Sequence, residues 1–253
     1  MTDRGNDLDD LARTDGARYA LFWAPPADSV LGRLGARWLG RDAETGGALA
    51  QPAVAGFSAD EVAAITAEPR RYGLHATLKP PFRLRWGCDG AALAQRIAAF
   101  AAARQPFRGP GLGLARLGRF IALTPTASEA AVAALADACV AEFDDVRAPP
   151  DPTEEARRRA SGLTAAQESN LKRWGYPYVL TEFRFHVTLT GPLPSATAQR
   201  IMPALARLFA PAIAEPPEIG GIALFREPSL GAPFRLERRF PFGGATEISS
   251  ADR

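Results

Sequence analysis

The feature that most constrains this chain is a short pattern that occurs twice. His75 begins His-Ala-Thr-Leu, His186 begins His-Val-Thr-Leu, and the 253 residues contain no other histidine. Each copy has an apolar residue just before the histidine and a proline a few residues after it. An internal repeat of this kind predicts two related structural units, each of which contributes one histidine.

Both copies show the alternation that is typical of a β-strand, in which successive side chains point to opposite faces. We therefore expect strands over residues 73–79 and 182–190, each with an apolar face in the core and a polar face outside it. The polar faces are expected to carry Arg71, His75, Thr77 and Lys79 in the first copy and Arg184, His186, Thr188 and Thr190 in the second.

Such polar faces suit chemistry at a phosphate if the two units pack about a pseudo-two-fold axis and share one cleft. One imidazole can accept a proton while the other donates one, because the pKa of free imidazole lies near neutrality. The hydroxyls of Thr77 and Thr188 can hold two phosphate oxygens, and Arg184 or Lys79 can add charge-assisted hydrogen bonds. His75, His186, Thr77 and Thr188 are therefore interpreted as catalytic.

The interpretation as substrate-binding residues covers Arg71, Tyr72, Lys79, Tyr176, Tyr178, Arg184 and Thr190. The three tyrosines are candidates because they lie close to the two motifs along the chain. The alternative for each of them is an ordinary packing role with a solvated hydroxyl.

No metal and no cofactor are expected. Two histidines without a neighbouring cluster of Asp, Glu or Cys fall short of the usual ligand sets. The glycine-rich stretch GPGLGLARLG matches neither a P-loop nor a dinucleotide-binding fingerprint.

Charge and cysteine content indicate the kind of partner and compartment. Thirty Lys and Arg residues against 28 Asp and Glu give a net charge of +2, which disfavours a dedicated nucleic-acid or membrane binder. Three consecutive arginines, Arg157–Arg159, are interpreted as a solvated helix face, with a local nucleic-acid contact as the alternative. Two cysteines and a polar N-terminal stretch favour a cytoplasmic protein without a signal peptide.

The order of predicted elements indicates an α+β fold with mainly antiparallel sheets, because strand pairs alternate with single helices. We expect polar tails at residues 1–16 and 241–253 and one domain over residues 17–240. Two helix-capping patterns, which begin at Asp151 and Thr164, predict a helical insert at about 143–174.

The paired motifs resemble the 2H phosphoesterase superfamily. The stretches RYALFWAPP, RRYGLHATLKPPFRL, FDDVRAPPDPTEEARRR and LKRWGYPYVLTEFRFHVTLTGPL are similar, more narrowly, to a DUF1045-type family of phosphonate metabolism proteins that occur with carbon–phosphorus lyase genes. The resemblance implies a bilobal duplication of β-α-β-β units that line a central cleft.

This resemblance also implies a metal-independent phosphodiesterase for a small cyclic phosphodiester, such as 5-phosphoribosyl 1,2-cyclic phosphate. The alternatives are an RNA 2′,3′-cyclic phosphodiesterase or RNA-end ligase and a non-catalytic phosphate-ligand binder. The two motifs are not equivalent, since Thr190 stands where the first copy has Lys79, and the roles of acid and base stay open. The oligomeric state also stays open.

Overall fold

The computed structural model describes residues 16–243. The two predicted tails therefore lie outside the described residues, apart from Gly16 and residues 241–243, and Pro241 is the last residue of a strand. Within residues 16–243, no helix is both long enough and apolar enough to cross a membrane.

Within residues 16–243, nine strands form three sheets in which every strand pair is antiparallel. The strands are β1 (Arg18–Trp23), β2 (Ala76–Phe82), β3 (Phe107–Arg108), β4 (Leu112–Leu117), β5 (Phe120–Pro125), β6 (Val187–Thr188), β7 (Glu218–Ile219), β8 (Gly221–Glu227) and β9 (Arg235–Pro241). The largest sheet has the order β2-β1-β8-β9, a second has the order β4-β5-β6, and β3 pairs with β7.

Seven α-helices surround these sheets in the described part of the chain. They are α1 (Val30–Leu39), α2 (Ala59–Arg70), α3 (Gly90–Ala102), α4 (Ala130–Glu142), α5 (Pro152–Arg159), α6 (Ala165–Trp174) and α7 (Ser195–Phe209). Two short 3₁₀ turns occupy Leu180–Glu182 and Ala210–Ala212. The predicted α+β class with antiparallel sheets is confirmed.

The insert forms the two short helices that the capping patterns predict. The Asp151 carboxylate accepts hydrogen bonds from the first backbone amides of α5, and Thr164 and Gln167 form a reciprocal capping box at α6. These caps satisfy amides that have no partner inside the helix, so the helices begin where the sequence places them.

One hydrophobic cluster contains residues of both larger sheets, among them Leu21, Leu78, Leu123 and Val187. A second, smaller cluster lies on one face of the largest sheet and contains Ala20, Phe22, Ala223, Phe225, Phe234 and Leu236. The first histidine motif borders this smaller cluster.

The predicted strand over residues 182–190 is wrong in its extent, because only Val187–Thr188 is strand. The neighbouring strand β5 ends at Pro125, which has no amide hydrogen to continue the ladder. The amide of Phe185 instead donates to the Glu129 carboxylate at 2.8 Å. The segment before Val187 therefore runs alongside the sheet without pairing to it.

Candidate functional site: two histidine motifs

The first motif lies where β2 begins, at the edge of the largest sheet. The strand covers Ala76–Phe82, so the predicted bounds of 73–79 are wrong: His75 comes just before the strand, and Arg71 caps the end of α2. Thr77 pairs with Phe22 of β1, so their side chains share one face of the sheet. Leu74, Ala76 and Leu78 are buried on the core side, whereas His75 and Thr77 are half-buried. The predicted division between apolar and polar faces is therefore correct as far as Thr77.

Lys79 breaks this alternation, and its predicted place on the polar face is wrong. Thr77 pairs with Phe22 and Lys79 with Leu21, so Leu78 is an extra residue that forms a β-bulge. A bulge turns the following side chain to the other face. Lys79 is 1% exposed, and its Nζ donates to the Val140 carbonyl at 3.1 Å. Burial lowers the pKa of Lys79 to about 8.

The second motif lies where β6 begins, at the edge of the second sheet, and His186 comes just before this strand. Thr188 pairs with Ala122 of β5, and the ring centroids of His186 and Phe120 are 5.8 Å apart. His186 and Thr188 are half-buried, and Arg184 is exposed just before them. In both motifs the histidine therefore comes one residue before a strand, and the threonine lies on that strand.

Thr190 is not on this polar face, which corrects the prediction made for it. Its side chain is fully buried, accepts a hydrogen bond from the Ile121 amide at 3.0 Å and donates to the Gly191 carbonyl at 2.8 Å. The hydroxyl closes the end of the ladder between β5 and the second motif. Both hydrogen bonds are structural, and they hold the side chain away from the polar face.

Both histidines make the same local hydrogen bond. Nδ1 of His75 is 2.9 Å from the Gly73 carbonyl oxygen, and Nδ1 of His186 is 2.8 Å from the Arg184 carbonyl oxygen. A carbonyl oxygen only accepts, so each Nδ1 carries a hydrogen, and each neutral ring has its lone pair on Nε2. The backbone therefore orients both imidazoles with Nε2 as the reactive nitrogen.

The hydroxyls of Thr77 and Thr188 have no hydrogen-bond partner among residues 16–243. Both side chains are half-buried, so water reaches them. They are free to bind a ligand oxygen, in contrast to the buried hydroxyl of Thr190.

Helix α1 contacts both motifs. Gly35 packs against Leu74 so closely that a Cβ built on it would lie 2.1 Å from a Leu74 methyl carbon. One turn later, the indole N–H of Trp38 donates to the Leu189 carbonyl at 2.7 Å. The helix thus holds the residue before His75 and a residue that follows Thr188.

His75 lies on aromatic rings that the motif alone does not reveal. Its ring stacks on Phe22 at 3.9 Å between centroids, and the rings of Tyr72 and Phe225 lie 5.7 and 6.2 Å away. Burial among these rings is the main cause that lowers the pKa of His75 to about 4, and the charge of His186 contributes to the same lowering. His75 is therefore neutral at pH 7.

This lowered pKa predicts a loss of stability in acid. The unfolded chain binds a proton at His75 below its ordinary pKa of 6.5, whereas the folded protein resists it until about pH 4. The contribution of neutral His75 to the free energy of unfolding is therefore present in full above pH 6.5. It should fall by up to about 3 kcal/mol as the pH drops to 4. Urea unfolding of the wild type and His75→Phe at pH 7, 5.5 and 4 measures this fall.

We expect the wild type to lose more stability than His75→Phe over this range of pH. Equal losses in both proteins would mean that the proton binds elsewhere. Hydrogen bonds lower the pKa of the Asp145 and Asp151 carboxyls, so these groups also lose stabilising free energy in acid. They do so equally in both proteins, so their contribution cancels in the comparison.

A buried carboxylate, Glu227, is a second feature that sequence reasoning missed. Its side chain is fully buried and is paired with Arg18, which lies opposite it in the register of β1 and β8. Arg71 Nη2 lies 3.3 Å from Glu227 Oε1. The sequence did offer a signal: Arg18 begins the apolar stretch RYALFW, and Glu227 ends the apolar stretch GIALFRE. Because the two strands pair antiparallel, these two residues meet at one end of the sheet.

Each of the three predicted tyrosines contacts another aromatic ring. Tyr72 stacks on Phe234 at 5.0 Å, and Tyr176 and Tyr178 meet edge to face at 5.7 Å. Burial raises the pKa of Tyr176, whose ring lies 4.4 Å from the Arg158 guanidinium. Among residues 16–243, no group of three or more His, Cys, Asp or Glu side chains is arranged to hold a metal ion.

The fold and this site define an α+β protein with a duplicated histidine–threonine motif. The sequence profile of one family, described as "Protein of unknown function (DUF1045)", matches residues 77–235, and the chain belongs to this family. The match begins within the first motif, just after His75, and includes the whole of the second.

Two curated relatives are both named ribose 1,5-bisphosphate phosphokinase PhnN. The protein of Janthinobacterium sp. (strain Marseille) is 39% identical over 237 residues, which are 92% of this chain and 52% of the relative. The protein of Laribacter hongkongensis (strain HLHK9) is 40% identical over 228 residues, which are 87% of this chain and 51% of the relative. The chain therefore spans about half the length of the curated relatives it matches.

These names contradict the function expected from the sequence. A cyclic phosphodiesterase hydrolyses its substrate, whereas both relatives carry the name of a kinase. The expectation of cyclic phosphodiester hydrolysis is therefore wrong on this comparison.

Proposed function

We infer that this chain is an enzyme of phosphonate metabolism that binds a phosphorylated ribose between His75 and His186 and transfers protons at its phosphate group. The observation that carries this inference is the matched orientation of the two imidazoles, each held through Nδ1 by a backbone carbonyl two residues earlier. That arrangement leaves two Nε2 atoms for substrate oxygens.

We assign the role of base to His75 and the role of acid to His186. Burial on the Phe22 ring lowers the pKa of His75, so its Nε2 holds a lone pair at neutral pH and can accept a proton. When phosphorus passes from one oxygen to another, the attacking oxygen gives up its proton to the base as the new P–O bond forms. The leaving oxygen takes a proton as the old P–O bond breaks, so a donor is also needed, and His186 is the second imidazole of the pair. The free hydroxyls of Thr77 and Thr188 then bind the phosphate oxygens, and exposed Arg184 neutralises their charge.

The choice of ligand class rests on the relatives, whose name gives a phosphorylated ribose as their substrate. The metabolic setting rests on the family. The sequence resembles proteins of this family that occur together with carbon–phosphorus lyase genes. We further infer a 2H-type arrangement, in which each of two lobes supplies one histidine to one cleft.

We do not assign nucleotide binding to this chain, which spans about half of each relative. Its only lysines are Lys79 and Lys172, and neither follows a glycine as the P-loop lysine does. The proposal therefore gives this chain the phosphorylated sugar alone.

Calorimetric titration of the chain with ribose 5-phosphate, ribose 1,5-bisphosphate and unphosphorylated ribose tests the proposal. We expect both phosphorylated sugars to bind and ribose to show no measurable affinity, because the site recognises phosphate. His75→Gln and His186→Gln should each weaken binding about 5- to 10-fold, the value of one hydrogen bond. Arg159→Gln is the matched control, since Arg159 pairs with Glu155 and Glu168 away from the motifs.

Two results would contradict the proposal. Equal affinity for ribose and its phosphates would show that the site does not recognise phosphate. Consumption of ATP by this chain in the presence of ribose 1,5-bisphosphate would show that the nucleotide step also belongs to it.

A further inference from the structure

Three arginines follow one another along a chain of ion pairs that ends beside the first motif. Arg71 Nη2 and Arg18 Nε both donate to the buried Glu227 carboxylate. Arg18 Nη1 lies 3.9 Å from Glu154 Oε1, and Arg158 Nη2 lies 2.5 Å from the same oxygen. Helix α5 of the insert is tied in this way to the first strand of the largest sheet.

This chain of ion pairs holds more positive than negative charge. Three guanidinium groups face two carboxylates, and an arginine stays charged at any physiological pH. The Nε of Arg71 is buried and has no hydrogen-bond partner among residues 16–243. A buried donor without a partner is rare in a native protein, and here it points to a group that the arginine binds.

The excess charge lies at the edge of the aromatic surface under His75. The Arg71 guanidinium is 5.9 Å from the Tyr72 ring, which is itself 5.7 Å from the His75 ring. The Arg158 guanidinium lies 4.4 Å from the Tyr176 ring, and its partner Glu154 links it to Arg18. Arg71 and Arg158 are 41% and 19% exposed, so a solute can reach both.

We propose that Arg71 and Arg158 form a second anion subsite beside the imidazole pair, and that it takes the second phosphate of a bisphosphorylated sugar. The proposal rests on the proposed function, in which the first phosphate binds between His75 and His186. Guanidinium groups bind phosphate through paired, charge-assisted hydrogen bonds, and Tyr72 and Tyr176 offer surfaces for the sugar between the two phosphates. Glu227 and Arg18 act as positioning residues that hold Arg71 in place.

The test compares calorimetric affinities for ribose 1,5-bisphosphate, ribose 5-phosphate and ribose 1-phosphate. Arg158→Gln and Arg71→Gln should each weaken binding of the bisphosphate about 10- to 100-fold, the value of a charge-assisted contact. At least one monophosphate, the one held by the imidazoles, should change by less than about 3-fold. Arg159→Gln, on the same helix but paired with Glu155 and Glu168, should change no affinity.

The outcomes separate this proposal from the one on which it rests. The subsite is overturned, and the proposed function stands, if the wild type binds the bisphosphate no more tightly than the monophosphates or if both arginine variants keep its affinity. The proposed function fails, and the subsite stands, if the arginine variants behave as expected while His75→Gln and His186→Gln bind all three ligands normally. Failure of all three sugars to bind the wild type overturns both.

Arg71→Gln leaves Glu227 with one partner and can lower stability, so thermal unfolding accompanies each titration. Arg158 pairs with a carboxylate that is 20% exposed, so Arg158→Gln should fold normally. A normal bisphosphate affinity in folded Arg158→Gln overturns its part in the subsite whatever Arg71→Gln does.

Discussion

Replacing either His75 or His186 by alanine is expected to lower kcat by about 10²- to 10⁴-fold, which is the usual contribution of a positioned acid or base. Phosphorus NMR of the chain with phosphorylated riboses measures this turnover and identifies the phosphate that reacts. The Nδ1 hydrogen bonds place both Nε2 atoms by the same backbone geometry, so loss of one imidazole leaves the other without its partner.

The double variant should be only slightly slower than the slower single variant, because the two imidazoles act as a unit in one reaction. Thr77→Val and Thr188→Val should cost less, since water can replace part of a hydroxyl's hydrogen bond to phosphate. Folding should survive in each histidine variant, because both side chains are half-buried on polar faces.

Two results would refute the catalytic assignment. One is an unchanged kcat in His186→Ala, and the other is a multiplicative loss in the double variant, which would indicate independent roles. The pH dependence adds a separate check on His75. Its pKa of about 4 means that activity limited by the base should persist well below pH 6.5 and decline only towards pH 4.

The parts of the fold that the sequence predicts well depend on local interactions. The first residues of α5 and α6 follow from N-cap side chains that bind amides within three residues. The start of each helix can therefore be predicted directly from Asp151 and Thr164. The division between buried Ala76 and half-buried Thr77 follows from strand alternation alone. Such features need no knowledge of what lies across the sheet.

Lys79 and Thr190 were placed wrongly because their positions depend on pairing with another strand. The bulge at Leu78 exists only in the register between β1 and β2, and strand alternation within one segment cannot reveal it. Thr190 is turned inward because the Ile121 amide needs an acceptor where the ladder ends. In both cases the partner strand, and not the local pattern, decides which way the side chain points.

The surroundings of the site were also beyond sequence reasoning. The rings around His75 come from Phe22, Tyr72 and Phe225, which lie far apart in the chain. Their contact is a consequence of the sheet order β2-β1-β8-β9, in which the first strand pairs with one near the end. The same topology places Arg18 opposite Glu227 and so builds the ion pairs beside the motif.

Replacing Glu227 by alanine is expected to lower the free energy of unfolding by about 3–5 kcal/mol, the typical result of removing one partner from a buried ion pair. Glu227 is fully buried and accepts hydrogen bonds from Arg18, Arg71 and the Gly231 amide. Without the carboxylate, the 12% exposed Arg18 keeps its charge but loses its closest partner. Urea unfolding at pH 7 measures the difference.

Glu215→Ala is the matched control, because it removes a carboxylate from an exposed ion pair. Glu215 lies 3.0 Å from Arg108, and the two side chains are 83% and 71% exposed. Water solvates both charges there before and after the substitution, so the loss should stay below about 1 kcal/mol. Similar losses in the two variants would show that the buried Glu227 ion pair stabilises the fold no more than the exposed Glu215 pair does. A large loss at Glu227 alone would show that the two arginines beside the first motif depend on this single buried carboxylate for their place in the fold.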